Sequence, residues 1–321
     1  MKKLLFISPD YYGFHEVLLD GFQKYSNHDV TLVITNEKYG YKNFLEKINN
    51  FLSKTFLKKN LKKIKQEELI NNNILKNDKY DIVFVNRPDM LSERTYQILN
   101  TICKIKITYY WDSFDKIKGQ EETIKYFDKC FSFEKRDCLK YNLKENNNFY
   151  FENNNNNNNN DNEIDCDICF LGTFDLRFSI LLDILSKLKT QFLTANCVIY
   201  SNKNIDKLQK NNPDVFFISN PIGFNESTKV SKKARIILDV QHENQEGLSF
   251  RPFEAMGLRK KLITTNKNII KYDFYNPNNI FVWEEDSVEL PQSFLTTDYE
   301  DLDKKIMEKY YIKNWVERII N

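Results

Sequence analysis

The chain has few cysteines and histidines, the residues that form disulfide bonds and most often bind zinc. Its 321 residues contain six cysteines and three histidines. Six cysteines in a chain of this length do not indicate a disulfide framework, and scattered thiols are typical of the reducing cytoplasm, where we expect the protein. The one close pair, Cys166 and Cys169, has no second C-x-x-C and no nearby histidine. No zinc site is therefore indicated there, and residues 165–170 are predicted to form a strand.

Long hydrophobic runs and a strong charge bias are also missing. No segment approaches the ~20 apolar residues of a membrane-spanning helix. Residues 1–8 have an apolar core of only about four residues, too short for a signal peptide, and are expected to form a first buried strand. The formal net charge is +2, so no global electrostatic field indicates a nucleic-acid partner.

The chain length predicts two domains, and the composition places a boundary between them. An uninterrupted asparagine tract at residues 153–160 cannot pack a core, so we predict a linker over 146–163. It would join an N-terminal domain, 1–145, to a second domain, 164–300, followed by a C-terminal helix, 301–321.

Both halves alternate strand and helix patterns, which predicts two facing Rossmann-like α/β domains with a site between them. The predicted strands are residues 4–8, 30–34, 82–86, 105–110 and 130–133, then 167–172, 197–200, 215–218, 235–240 and 262–265.

The most informative stretch is EGLSFRPFE, residues 246–254. It lies between two predicted strands and combines a glycine turn with a short helix, predicted over 250–258. Such a turn directs backbone N–H groups and the positive end of a helix toward an anion. Glu254, inside the helix, would reach past the anion toward hydroxyl groups, and an anion with hydroxyls describes a nucleotide sugar.

This stretch resembles the E-x7-E signature of the group 1 glycosyltransferases, which have the two-domain GT-B fold and build lipopolysaccharide, capsule and similar glycans. The resemblance implies that Glu254 binds the donor ribose and that Glu246 lies near the transferred sugar. Each also has a structural interpretation, Glu254 as a surface helix residue and Glu246 as an acid favoured by the helix dipole. The resemblance implies no bound metal, since GT-B enzymes rely on dipoles and cations, and no cofactor, because the nucleotide sugar is a substrate. It also implies that the C-terminal helix crosses back to the first domain.

The diphosphate would be held by backbone and cationic groups. Gly247, Leu248 and Ser249 would offer N–H groups, and Arg251 would either neutralise the diphosphate or pair with Glu254. Gly172, Thr173 and Arg177 form a strand-to-helix turn similar to the first turn of the family's donor domain, although the family's second cation is missing here. His242 would touch the sugar or fill its turn.

Three residues of the first half are candidates for the acceptor side. His15 follows the first strand and would act as a base on an acceptor hydroxyl or simply cap a helix. Asp112 is the rival base, and Arg87 is a third candidate. An enzyme that retains anomeric configuration would need no protein base, because the leaving phosphate can take the proton.

Residues 41–70 combine apolar positions at helical spacing with a crowd of lysines toward the middle and end of the range, Lys54, Lys58, Lys59, Lys62, Lys63 and Lys65. A basic amphipathic helix suits an anionic membrane surface, as an enzyme with a lipid-linked acceptor would need. The alternative is a core-packed helix with a solvated lysine face.

The sequence thus predicts a cytoplasmic, peripherally attached glycosyltransferase with a glycan or lipid-linked acceptor. A nucleotide-sugar epimerase, a polyol-phosphate transferase and a catalytically silent binding module stay open as alternatives.

Overall fold

A computed structural model describes residues 1–37, 40, 43–76, 79–152 and 164–321. The asparagine tract and most of the predicted linker lie outside the described residues, as does Tyr41. The chain divides into two compact units. Unit 1 contains Met1–Ser132, Asp137–Lys144 and Ile319–Asn321, and unit 2 contains Phe133–Arg136 and Glu145–Arg318.

Unit 1 is built on a six-stranded sheet in the order β2-β1-β3-β4-β5-β6, parallel from β2 to β5. Its strands are β1 Lys2–Ser8, β2 His28–Ile34, β3 Tyr80–Asn86, β4 Cys103–Tyr110, β5 Lys129–Ser132 and β6 Lys144–Glu145. The helices of this half are α1 Phe14–Tyr25, α2 Phe44–Leu57, α3 Leu61–Ile74, α4 Glu93–Ile102 and α5 Lys135–Tyr141, with 3-10 turns at Pro88–Met90 and Gln120–Tyr126.

Unit 2 is built on a second six-stranded sheet, parallel throughout, in the order β12-β11-β10-β7-β8-β9. Its strands are β7 Cys166–Thr173, β8 Ala195–Tyr200, β9 Phe216–Ile218, β10 Ala234–Asp239, β11 Lys261–Thr264 and β12 Ile280–Val282. The helices are α6 Phe178–Thr190, α7 Ile205–Asn211, α8 Phe224–Lys232, α9 Phe250–Leu258, α10 Gln292–Thr296, α11 Lys304–Tyr310 and α12 Ile312–Ile320, with a 3-10 turn at Lys267–Lys271.

All ten predicted strands are present, and the predicted α/β class is confirmed. Both sheets have doubly wound orders, and the second follows the dinucleotide-binding order 3-2-1-4-5-6. Apolar strand residues form the core of the fold. In β1, which has a strand on each side, Leu4, Leu5, Phe6 and Ile7 are fully buried. Short β6 and β12 escaped sequence analysis because they lack an apolar run of strand length.

Two stretches expected as single helices are each divided in the structure. In residues 41–70, α2 ends where Lys58 adopts the left-handed conformation, and α3 restarts where the Asn60 side chain accepts the N–H of Lys63. In residues 301–320, extended Tyr311 separates α11 from α12. There the Tyr150 N–H donates to Tyr310 and the Ile312 N–H donates to Tyr150, so strand-like pairing replaces helical hydrogen bonds. None of the helices in the described ranges is long and apolar enough to cross a membrane.

Candidate functional site

The second sheet reverses its strand order between β7 and β10, and a cavity of about 230 Å³ opens there. Ligands of open α/β sheets bind at such a switch point, outside the carboxyl ends of the strands. The cavity is bounded by the ends of these strands, by α8 and α9, and by residues 149–152. Its aromatic walls are Phe149, Tyr150, Phe151, Phe170, Phe224 and Phe250. Its polar lining includes Glu152, Thr173, Arg177, Asp239, Ser249, Arg251 and Glu254.

The cavity collects six of the predicted donor-binding residues: Gly172, Thr173, Arg177, Ser249, Arg251 and Glu254. They come from β7, from the turn before α6, and from the start of α9, as the strand-turn-helix pattern requires. Gly247 and His242 do not line this cavity. Leu248 is buried in the core beside α9 instead.

Helix α9 presents Arg251 and Glu254 to the cavity. The helix begins after Ser249, whose hydroxyl accepts the Arg251 N–H at 3.1 Å. The guanidinium of Arg251 forms an ion pair with Glu254, whose side chain is 13% exposed. Of the two roles expected for Arg251, this pairing is the one that the structure contains. Burial acts to lower the pKa of Arg251, but the Glu254 carboxylate outweighs it and holds that pKa above its ordinary value.

Arg177 is held in place by an acid that sequence analysis missed. Its Nε and Nη2 atoms donate to the two carboxylate oxygens of Asp175, and its Nη1 donates to the Val240 carbonyl at 3.1 Å. A bidentate pair of this kind fixes the guanidinium plane. Desolvation acts to raise the pKa of Asp175, but hydrogen bonds from Arg177 hold it below its ordinary value.

Asp239, the last residue of β10, is a second acid absent from the predicted site. Its side chain is almost completely buried, and its two oxygens accept the hydroxyls of Ser249 and Thr264, each at 2.9 Å. Burial raises the pKa of this carboxyl. The sequence signal that could have identified Asp239 is its position directly after the apolar run of residues 236–238.

A second cavity, of about 590 Å³, shares the wall formed by Arg177. It contains His242 and Glu246, the two predicted residues near the transferred sugar, together with Gln241, Gln245 and Trp283. His242 Nδ1 accepts the Asn244 N–H at 3.2 Å, which orders the turn after β10. Glu246 is more than half exposed and lies 3.8 Å from Arg136.

The glycine turn that precedes α9 binds a carboxylate of the protein itself. Glu134, fully buried, accepts the N–H of Glu246 at 2.7 Å and that of Gly247 at 3.2 Å. A Cβ on Gly247 would lie 2.6 Å from the Phe133 carbonyl oxygen. The N–H of Gly247, which we expected to hold the diphosphate, therefore already has a partner within the protein. No sequence signal identified Glu134, which is distant in the chain.

The acceptor-side candidates are all in unit 1, at the carboxyl edge of the first sheet. His15 is buried at the start of α1, with Nδ1 3.3 Å from Asp10, and Asp112 forms an ion pair with Lys116 at 2.5 Å. The rings of Phe14 and Trp111 meet edge to face at 4.8 Å, which brings the turns of His15 and Asp112 together. Arg87, after β3, is held by both oxygens of Asp89.

The described residues contain no group of three or more His, Cys, Asp or Glu side chains that could hold a metal ion. The cysteines of the C-x-x-C pair are free thiols in β7, and burial raises the pKa of Cys169 to about 12.

No family profile and no curated protein matches this chain. Several solved structures align with it along nearly its whole length, among them AviGT4 and HepE. The glycosyltransferase AviGT4, involved in avilamycin A biosynthesis, aligns with 99% of this chain and 96% of its own, at a TM-score of 0.59 and 10% identity. Anabaena HepE, solved in complex with UDP, aligns with 99% and 96%, at 0.50 and 12% identity. With its two parallel, doubly wound sheets, this chain has the GT-B fold.

Proposed function

We propose that this protein is a glycosyltransferase that uses a nucleotide-sugar donor. The observation that carries the proposal is the aromatic cavity at the switch point of the second sheet, which gathers Arg177, Arg251 and Glu254. A nucleoside diphosphate needs an apolar surface for its base, an acceptor for its ribose hydroxyls and cations for its phosphates. The UDP bound to HepE supports a nucleotide as the ligand of this fold.

The donor would occupy two adjoining cavities. The base would lie among the phenylalanine rings, where stacking tolerates either a pyrimidine or a purine. Glu254 would accept the ribose hydroxyls, as a carboxylate can accept two hydrogen bonds at once. Arg177, common to both cavities, would contact the diphosphate. The sugar would extend into the second cavity, toward His242 and Glu246.

In the reaction, the oxygen of an acceptor hydroxyl forms a bond to the anomeric carbon, and the bond from that carbon to the diphosphate oxygen breaks. The electron pair leaves with the nucleoside diphosphate, whose charge Arg177 would stabilise without a metal ion. The hydroxyl proton passes to a base. His15 and Asp112 are our candidates if configuration inverts, and the departing phosphate is the acceptor of the proton if it is retained.

The acceptor would be a surface glycan or a lipid-linked precursor, as in lipopolysaccharide or capsule synthesis. Support comes from α2 and α3. Phe44, Leu45 and Phe51 of α2 are 72%, 69% and 67% exposed, so this apolar face is not packed in a core. Lysines flank it, and α3 is anchored through buried Ile74. Exposed aromatic side chains beside lysines suit an anionic membrane surface.

The test is thermal unfolding of the purified protein titrated with UDP, GDP, CMP and their sugar conjugates. We expect one nucleotide to raise the melting temperature, because a ligand that binds only the folded state stabilises it. Glu254→Gln should abolish that gain. Glu226→Gln is the matched control and should keep it, since Glu226 lies on α8 and forms an ion pair with Lys229 of the same helix.

Absence of a shift with every nucleotide would contradict the donor site. A shift without release of nucleoside diphosphate, in the presence of lipid-linked and soluble glycan acceptors, would instead favour a silent binding module. Interconversion of the nucleotide sugar without any acceptor would favour an epimerase. Transfer of a polyol phosphate to an acceptor would favour a polyol-phosphate transferase.

A further inference from the structure

Asp239 is a buried carboxylate within the proposed donor cavity that the proposed reaction does not use. It lies at the carboxyl end of β10, where the strand order reverses. Both of its oxygens are engaged, one by the hydroxyl of Ser249 and the other by that of Thr264. Ser249 in turn accepts the Arg251 N–H, so Asp239 holds the residue that starts α9.

The charged groups around Asp239 come from each neighbouring element. Arg177 faces it from the turn before α6, and Arg251 and Glu254 face it from α9. Arg177 is paired with Asp175, Arg251 with Glu254, and Glu152 at the cavity rim with Lys232. Cys169 of β7 is a neutral thiol. Among these described groups, the guanidinium groups of Arg177 and Arg251 each already have a carboxylate partner. Asp239 is a further carboxylate beside them.

An anionic ligand in this cavity would change the balance between the ionised and the protonated form of Asp239. A diphosphate bound at Arg177 and the start of α9 adds negative charge beside a carboxylate that burial already disfavours. Like charges at short distance in a buried site favour the protonated form of the carboxyl group. A protonated Asp239 still has a carbonyl oxygen to accept the Ser249 hydroxyl, so α9 keeps its starting residue.

We propose that Asp239 is a positioning residue of the donor site that fixes Ser249 at the start of α9 and takes up a proton when the anionic donor binds. This inference rests on the proposed function, because it requires a diphosphate in the aromatic cavity. Donor affinity then depends on pH through a residue that does not carry out the transfer.

The experiment is calorimetric titration of the full chain with UDP-glucose, GDP-mannose and dTDP-glucose between about pH 5 and about pH 8. The diphosphate of these donors is a diester and gains no proton in this range. Each titration is repeated in two buffers of different ionisation enthalpy, which measures proton uptake directly. We expect the affinity of the wild type to fall as pH rises, by up to about tenfold per pH unit, with net proton uptake.

Asp239→Asn removes the charge and keeps an acceptor oxygen for Ser249. We expect it to lose the proton uptake and to bind more tightly than the wild type at the upper end of the pH range. Asp239→Ala, which also loses the acceptor, should bind more weakly at every pH. Thr264→Val removes one hydroxyl from the ionised carboxylate and should move the pH dependence to higher pH, which keeps the proposal testable if Asp239→Asn does not fold.

Equal proton uptake in the wild type and in Asp239→Asn would overturn the inference while leaving nucleotide binding intact. An unchanged pH dependence in Thr264→Val would also count against it. If none of the three nucleotide sugars binds at any pH, the proposed function fails, and this inference fails with it.

Discussion

The carboxylate of Glu134 accepts the backbone N–H of Gly247 at 3.2 Å, and the same oxygen accepts the N–H of Glu246 at 2.7 Å. The acid comes from the short segment Phe133–Arg136, and the amides come from the turn before α9, more than a hundred residues later. A buried carboxylate on two N–H groups is a strong, charge-assisted arrangement. The turn that positions α9 is thus held by the buried side chain of Glu134.

Glu134→Ala should destabilise unit 2. The two partly buried amides would lose their acceptor. A fully buried polar group left unsatisfied costs about 1–3 kcal/mol, so we expect a loss of up to that size for each. Denaturant unfolding measures the loss. Glu134→Gln keeps one acceptor oxygen and should lose clearly less, so equal losses in the two variants would show that the hydrogen bonds are not responsible.

Gly247→Ala should also destabilise the protein and weaken nucleotide binding. Its new Cβ would lie 2.6 Å from the Phe133 carbonyl oxygen, a backbone atom that cannot move aside without shifting the turn. Gly40→Ala is the matched control, since no atom of the residues that the structure describes lies within 4 Å of the Cβ added there. Thermal unfolding and nucleotide titration of both variants provide the test, and equal behaviour would refute the close-packing argument.

Arg177→Lys should weaken nucleotide binding although the positive charge is kept. A lysine cannot make the forked contact with Asp175 and would lose its fixed position between the two cavities. We expect a loss of about tenfold or more in affinity, from charge-assisted bonds worth about 1.5–3 kcal/mol. Lys189→Arg, in α6 and paired at the surface with Asp214, which lines neither cavity, is the control. Wild-type affinity in Arg177→Lys would exclude a fixed guanidinium as the phosphate ligand.

Asp239 should make the folded state less stable as pH rises. Burial raises its pKa in the folded protein above the ordinary value of 3.8. An acid with a raised folded-state pKa contributes its full stability below the unfolded-state pKa and loses it as pH rises through the folded-state value. The unfolding free energy of the wild type, minus that of Asp239→Asn, should therefore fall as pH rises from the unfolded-state pKa of the carboxyl through its folded-state pKa. A constant difference would show that the carboxyl does not titrate there.

Replacement of Phe44 and Phe51 by serine should reduce binding to vesicles that contain anionic lipid. Both rings are exposed on α2, so their loss should leave the folded state almost unchanged. Leu139→Ser is the control, because Leu139 is 78% exposed on α5, away from the lysine-rich segment. Co-sedimentation with phosphatidylserine vesicles measures binding. If the double variant kept full vesicle binding, the result would favour the alternative, in which the lysine face of α2 and α3 is solvated and binds no membrane.

The local elements could be predicted because their signals are local. The apolar run of β10, the glycine turn and the periodic residues of α9 lie within about thirty consecutive positions. Helix α9 has the predicted bounds, Phe250–Leu258. Strand and helix periodicity and helix capping are properties of neighbouring residues, so one sequence was sufficient to give the α/β class. It left two roles open for Arg251, of which the ion pair with Glu254 is one.

What the sequence determined by itself, then, was the series of strands and helices and the residue types available at their ends. The tertiary structure alone decided which of those residues meet. Glu134 binds the turn at Gly247 from more than a hundred residues away, and Asp239 accepts the hydroxyls of Ser249 and Thr264, which lie in two different elements. The pattern of one segment does not give these partners, because a buried carboxylate takes whichever donors the packed strands and turns bring within reach. That choice depends on strand order, which the periodicity of a single segment does not contain.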